Sequence, residues 1–252
     1  MTHSLQQRYG KVPQVTLLFW AIKIAATTLG ETGGDAVSMS MQLGYLAGTG
    51  IFALAFLLAV AAQIRATRFR RGLYWLTVIA TTTVGTTLAD FADRSLGIGY
   101  AGGTALLAAL LLMSLGLWYR ATGSVAVEHV DTPRTERYYW ITIMCSQTLG
   151  TALGDWTADS AGLGYGGAAL VFGALLLLVA GCYFFTRISR TALFWAAFVL
   201  TRPLGAVVGD FLDKPLDAGG LALSRYTASL VLAVFIAACV LLLRQRPAVR
   251  SH

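Results

Sequence analysis

The chain has 252 residues, 56% of them hydrophobic and only 12% charged, with a formal net charge of +7. That balance excludes an ordinary water-soluble domain and makes lipid the expected solvent. Cys145, Cys182 and Cys239 lack a Cys-x-x-Cys spacing, and His3, His129 and His252 fall outside the apolar runs, so neither a disulfide framework nor a zinc centre is indicated.

A helix needs about 20 apolar residues to cross the hydrocarbon of a bilayer. In chain order the candidate spans are 12–30, apolar except for Lys23, then 36–64, 72–89, 95–119, 138–154 and 160–186. They end with 191–209, apolar except for Arg202, and 226–243. Arg8 and Lys11 precede the first run as in a secretory leader, but it has no small-x-small cleavage site and shares its motif with three later helices. It therefore belongs to the folded protein. Fourteen of the nineteen basic residues lie in the tails and in the loops after spans 2, 4 and 6, whereas the opposite loops hold Arg94, Lys214 and Arg225. The positive-inside rule then places both termini in the cytoplasm, and the charge reports topology rather than nucleic-acid binding.

The chain also repeats itself. Trp20, Trp75, Trp140 and Trp195 are followed ten residues later by Gly30, Gly85, Gly150 and Gly205, and fifteen later by Asp35, Asp90, Asp155 and Asp210. A small residue, Gly34, Ala89, Gly154 or Gly209, precedes each Asp. After the first three Asp residues comes a second shared element, Leu43-Gly44-Tyr45, Ile98-Gly99-Tyr100 and Leu163-Gly164-Tyr165; the fourth repeat departs, with a longer turn before Tyr226. Such periodicity marks a duplicated structural unit.

The expected fold is an all-α integral membrane protein, one domain over 1–252. Its eight transmembrane helices form four parallel two-helix repeats at 12–65, 72–120, 138–187 and 191–244, pseudo-symmetric about the membrane normal, with 121–137 as a cytoplasmic linker. On these motifs the chain resembles bacterial membrane proteins described as four tandem repeats of unknown function, with two transmembrane segments and a tryptophan per repeat. The resemblance implies a bacterial inner-membrane location and carries no mechanism.

Within the signature, glycines four apart suit close helix packing, and Trp20, Trp75, Trp140 and Trp195 suit interfacial anchoring. Carboxylates are different, because charge within a membrane is costly and marks ion or proton paths. They come in pairs one turn apart, Glu31/Asp35, Asp90/Asp93, Asp155/Asp159 and Asp210/Asp213, and such pairs repel unless a cation, a proton or water intervenes. The outer members Asp93, Asp159 and Asp213 are expected at the surface. The inner Asp35, Asp90, Asp155 and Asp210, with Glu31, are expected to form a ring that binds a cation.

Thr28, Thr83 and Thr148 lie two turns from the Asp level as polar lining, Lys23 is expected to snorkel to the interface, and Arg202 is expected to pair with an Asp of another repeat. An oxygen-rich set without histidine suits Mn²⁺, Mg²⁺ or Ca²⁺, with protons as substrate or coupling ion. The leading expectation is a cation transporter or channel without enzymatic activity, whose one candidate cofactor is a divalent cation, Mn²⁺, Mg²⁺ or Ca²⁺; lipid and a cation are its partners, and oligomerisation stays open. The alternatives are a non-transporting membrane scaffold and an intramembrane aspartyl protease, whose motif this chain lacks at the glycine two positions before Gly-Asp. Gly30-Glu31-Thr32-Gly33-Gly34-Asp35 is also similar to a helix end of some cation exporters, without their following basic residue and hydroxyl.

Overall fold

The computed structural model describes residues 9–249. Arg8 and Arg250, used in the topology count, and His3 and His252 lie outside the described residues. The long helices are α1 (Leu17–Asp35), α2 (Gly44–Arg65), α3 (Arg71–Asp90), α4 (Tyr100–Thr122), α5 (Pro133–Asp155), α6 (Gly164–Phe185), α7 (Arg190–Asp213) and α8 (Arg225–Leu242). Of these, α2, α4, α6, α7 and α8 are long and apolar enough to cross a membrane. One element breaks the all-helical expectation: residues before α1 form a strand, β1 (Tyr9–Pro13), which pairs antiparallel with β2 (Pro247–Val249). The first helix accordingly starts later than its apolar run, at the Thr16 cap, whose hydroxyl accepts from the Phe19 amide at 3.3 Å.

The odd helices pack in a closed ring, α1 on α3, α3 on α5, α5 on α7 and α7 back on α1. Each even helix packs outside that ring against the odd helix of the following repeat: α2 on α3, α4 on α5, α6 on α7 and α8 on α1. A repeat is therefore not a self-contained hairpin; it hands its second helix to its neighbour. The outer helices expose Leu57, Leu112, Leu177 and Leu230, each more than half accessible, and an apolar belt of this kind is stable against hydrocarbon rather than water.

Glycine sets the ring's diameter. Gly30 faces Thr82, Gly85 faces Gln147, Gly150 faces Arg202 and Gly205 faces Thr27, all so closely that a Cβ would collide with or crowd its neighbour. One turn on, Gly34 meets Thr86, Gly154 meets Ala206 and Gly209 meets Glu31. Equivalent positions meet equivalent positions around the ring, so the four odd helices run parallel and are related by a fourfold pseudo-rotation. Helices brought this near are also bridged by threonine hydroxyls: Thr82 Oγ1 donates to Ala26 O at 3.1 Å and Thr27 Oγ1 to Thr201 O at 3.2 Å.

The tryptophan end is closed by aromatic rings. Phe19 packs on Trp75, Tyr74 on Trp140, Tyr139 on Trp195 and Phe194 on Trp20, with centroids 5.4, 5.7, 6.4 and 5.8 Å apart. This corrects the anchoring expectation. Trp75, Trp140 and Trp195 are 2%, 2% and 6% exposed and Trp20 is half-buried, because the rings fill the space between helices instead of facing lipid headgroups. Trp75 Nε1 donates to Gln245 Oε1 at 2.7 Å and Trp195 Nε1 to Val125 O at 2.9 Å, so the C-terminal segment and the 121–137 linker pack onto this end. Lys11 of β1 pairs there with Glu136 at 3.0 Å.

The seam predicts a contrast within one helix. Gly30→Val should lower stability by about 1–3 kcal/mol through overpacking. Gly33→Ala, whose Cβ would meet nothing nearer than Ser229 Oγ at 3.9 Å, should leave it unchanged or higher. Melting temperatures of the two variants in detergent check this.

Candidate functional site

The site grows from two columns of the repeat. Eight residues before each Asp stand Thr27, Thr82, Gln147 and Arg202; four before it stand Glu31, Thr86, Thr151 and Ala206. Arg202 is fully buried, and it reaches across the ring to the second column. Its Nη2 donates to Glu31 Oε2 at 3.0 Å and also to the hydroxyls of Thr86 and Thr151, while Nη1 donates to Thr27 O at 3.5 Å. One guanidinium thus binds α1, α3 and α5 from α7. The fourth residue of the second column is Ala206, and Gly150 leaves space for the arginine's own aliphatic stem. Arg202 was expected to find an Asp of another repeat; its partner is Glu31, because that column lies one turn nearer than the Asp level.

At the next level the inner aspartates converge and are 2–4% exposed. Arg94 pairs with Asp90 at 3.0 Å and with Asp155 at 3.4 Å. Lys214 stands in the same place two repeats later and pairs with Asp210 at 2.9 Å and Asp35 at 2.7 Å. Each cation follows its own Asp by four residues and bridges it to the Asp of the following repeat. In repeats 1 and 3 that position holds Met39 and Asp159, so two of the four clefts between repeats receive a tethered cation and two do not. Burial opposes the Lys214 ammonium, but Asp210 and Asp35 outweigh it and hold its pKa above the ordinary lysine value. Glu31, Asp35 and Asp90 each bring one oxygen within 4.8 Å of the others, and so do Asp35, Asp210 and Asp213.

The outer helices supply a rim. Tyr45, Tyr100, Tyr165 and Arg225 occupy equivalent positions at the start of α2, α4, α6 and α8, three residues before the buried Gly48, Gly103, Ala168 and Ala228. The repeat therefore aligns Arg225, not Tyr226, with the three tyrosines. Arg225 pairs with Asp213 at 2.9 Å and Asp35 at 3.7 Å, Arg94 Nη1 donates to Tyr45 Oη at 3.5 Å, and Tyr100 Oη donates to Asp159 at 3.4 Å. Gly44, Gly99 and Gly164 precede the tyrosines with φ of 78°, 76° and 64°, a backbone that explains the shared Gly-Tyr. Repeat 4 has Ser224 there, at φ −61°, and places its positive φ earlier in the turn, at Gly219 and Ala222.

Other sequence expectations change. Thr28, Thr83 and Thr148 donate to carbonyls of their own helices, Ile24 O, Ile79 O and Met144 O, and make no side-chain hydrogen bond across the ring among the described residues. The residues that meet across the ring are Thr27, Thr82, Thr86 and Thr151, in repeat columns that the Trp-Gly-Asp alignment already contained. Lys23 does not snorkel: it is fully buried, with Nζ 4.3 Å from the centre of the Phe198 ring. Of the outer acids only Asp159 is exposed; Asp213 is 7% exposed, and Asp93 is 8% exposed with its carboxylate against Gly103. One turn of π-helix follows Asp35, Asp90 and Asp155, over Ala36–Ser40, Phe91–Ser95 and Trp156–Ser160, and carries the outer positions back against the even helices.

The arrangement defines a class: a four-repeat helical protein whose repeats meet at a buried, charged axis. The chain belongs to the family described as Repeat of Unknown Function (DUF347), which it matches four times, at residues 18–69, 73–124, 138–189 and 193–246. No curated protein and no solved structure matches it.

Breaking one side of a buried ion pair strands the other charge, at a cost of about 3–5 kcal/mol. Arg202→Met and Glu31→Gln should each melt well below the parent, and the double variant should recover part of the loss; a double-mutant cycle of melting temperatures measures the coupling.

Proposed function

We propose that the chain is a membrane transporter for a cation, a divalent metal such as Mn²⁺, Mg²⁺ or Ca²⁺ or a cation moved in exchange for protons. Its binding site is the cleft between repeats 1 and 2, formed by Glu31, Asp35 and Asp90. The uneven supply of countercharge carries this reading. Glu31, Asp35, Asp90, Asp155, Asp210 and Asp213 share their ion pairs with Arg94, Arg202, Lys214 and Arg225, six carboxylates against four cations. A formal excess of two negative charges in a buried cluster is what one divalent ion or two protons neutralise. The cleft between repeats 1 and 2 adds a third carboxylate, Glu31, where repeat 2 has Thr86. Oxygen donors alone suit hard cations.

In this reading all eight helices cross the bilayer. α1, α3 and α5 are more polar than α7, but they share its ring and turn their threonines and glycines toward one another. The basic loops at the tryptophan end put that end and both termini in the cytoplasm of a bacterial inner membrane. Arg202 fills the axis, with Lys23 one turn below it, and fixed positive charge there opposes a continuous cation pore. Exchange at a site facing one side at a time fits better than a channel. A second reading, a non-transporting scaffold, draws on the same ion pairs, since every inner Asp already has a partner within the protein. Among the described residues each inner Asp is engaged by a cation, which disfavours the free carboxylate dyad that an aspartyl protease needs.

Flux of divalent and monovalent cations into proteoliposomes tests the proposal. Asp35→Asn with Asp90→Asn should reduce flux at least about tenfold, as loss of a charged ligand worth about 1.4 kcal/mol requires. Asp159→Asn should leave it intact. Absence of flux for every cation with the folded parent protein supports the scaffold instead. Lys214→Met removes the tethered ammonium from the cleft where Asp35, Asp210 and Asp213 converge and should make thermal stability more dependent on added divalent ion.

A further inference from the structure

Below the aspartate level the ring holds one charge that no ion pair among the described residues uses, the Lys23 ammonium. No hydrogen-bond acceptor reaches the Lys23 ammonium among the described residues. At its own register stand Val78, Ile143 and Phe198, all with no exposed surface, so the Lys23 side chain is walled in by apolar groups. One turn toward the aspartates, Arg202 commits Nη2 to three helices, yet its Nε is buried without a partner. At the Arg202 register of repeat 3, Gln147 is fully buried with both amide atoms unpartnered, and the hydroxyl of the adjacent Ser146 is unpartnered too.

The ring relation sets these groups on two successive turns around the same axis. Residues eight before the Asp in one repeat lie against the backbone nine before the Asp in the preceding repeat, as Thr27 does on Thr201 and Thr82 on Ala26. Arg202 stands in that relation to Ser146. Two successive turns of the ring thus present an ammonium, a guanidinium N–H, a carboxamide and a hydroxyl, all unsatisfied. Among the described residues Glu31 is the one carboxylate in an ion pair with either cation. Buried polar groups without partners are rare, and a buried charge without a counter-ion is rarer.

We propose that a halide-sized monovalent anion binds between Lys23 and Arg202, with Gln147 and Ser146 as neutral donors. Two cations against one carboxylate leave one positive charge, which a single negative charge neutralises. The groups are predominantly donors, and the dense packing of the ring favours a small sphere over a polyatomic anion. Water satisfies the hydroxyl and the amide but leaves the charge. The site shares Glu31 with the cation reading through the Arg202 pair, but its readout, the halide dependence of melting, does not require the aspartates to carry a substrate.

The test compares melting of the purified full chain in sodium chloride or bromide with melting in sodium gluconate, at equal ionic strength and constant sodium. Saturable stabilisation by both halides is expected. Lys23→Met should abolish the halide dependence and melt at least as high as the parent does in gluconate, because it removes the charge that lacks a partner. Gln147→Leu should weaken halide affinity about tenfold, the value of a hydrogen bond to a charged group, and it carries the comparison if Lys23→Met does not fold. Identical melting of the parent in all three salts overturns the proposal and leaves water or a free amine. Unchanged halide dependence in the variants overturns it as well, by placing the anion elsewhere.

Discussion

A guanidinium buried where four helices meet must find its acceptors on the other three, and Arg202 does so through Glu31, Thr86 and Thr151. A charge taken out of water at a cost of several kcal/mol makes the arrangement cooperative, since no single repeat can satisfy it. It also explains where the repeats differ. Their contacts match at the glycine seam, but eight and four residues before the Asp their chemistry diverges, because one arginine at the axis takes a glutamate and two threonines as partners and an alanine to clear its own turn.

The same logic runs through the next level. A ring of four identical aspartates would repel itself, and cations placed four residues later in repeats 2 and 4 relieve the strain in two clefts. The fourfold backbone thereby carries a twofold pattern of charge. What distinguishes the remaining clefts is the residue at that same position, Met39 in one and Asp159 in the other. A symmetric scaffold with asymmetric filling gives one protein several chemically distinct carboxylate groupings at one register of the ring.

Closure of the ring is as important as its contents. Each outer helix packs on the next repeat, α8 returns to α1, and β1 with β2 joins the two ends of the described chain at the aromatic end. In an open array of repeats the terminal units need caps, whereas here the last repeat is covered by the first. Lys11 extends that closure by bonding to Glu136 and to Ile64 O, from a segment whose apolar residues had marked it as the start of a helix.

The sequence by itself determined the repeat, the helices, the close seam and the level at which the aspartates gather. These follow from period and solvent: glycines four apart expose backbone on one face, and a fixed fifteen-residue step from Trp to Asp sets a common height. Tertiary structure decided the partners. Arg202 with Glu31, Lys214 with Asp35 and Arg94 with Asp155 lie 171, 179 and 61 residues apart, and each pairing depends on which repeat follows which around the ring. It also decided that the tryptophans and Lys23 turn inward. Both have a polar group that suits an interface, and the neighbouring helices instead pack aromatic rings around them, Tyr74 on Trp140 and Phe198 under the Lys23 ammonium.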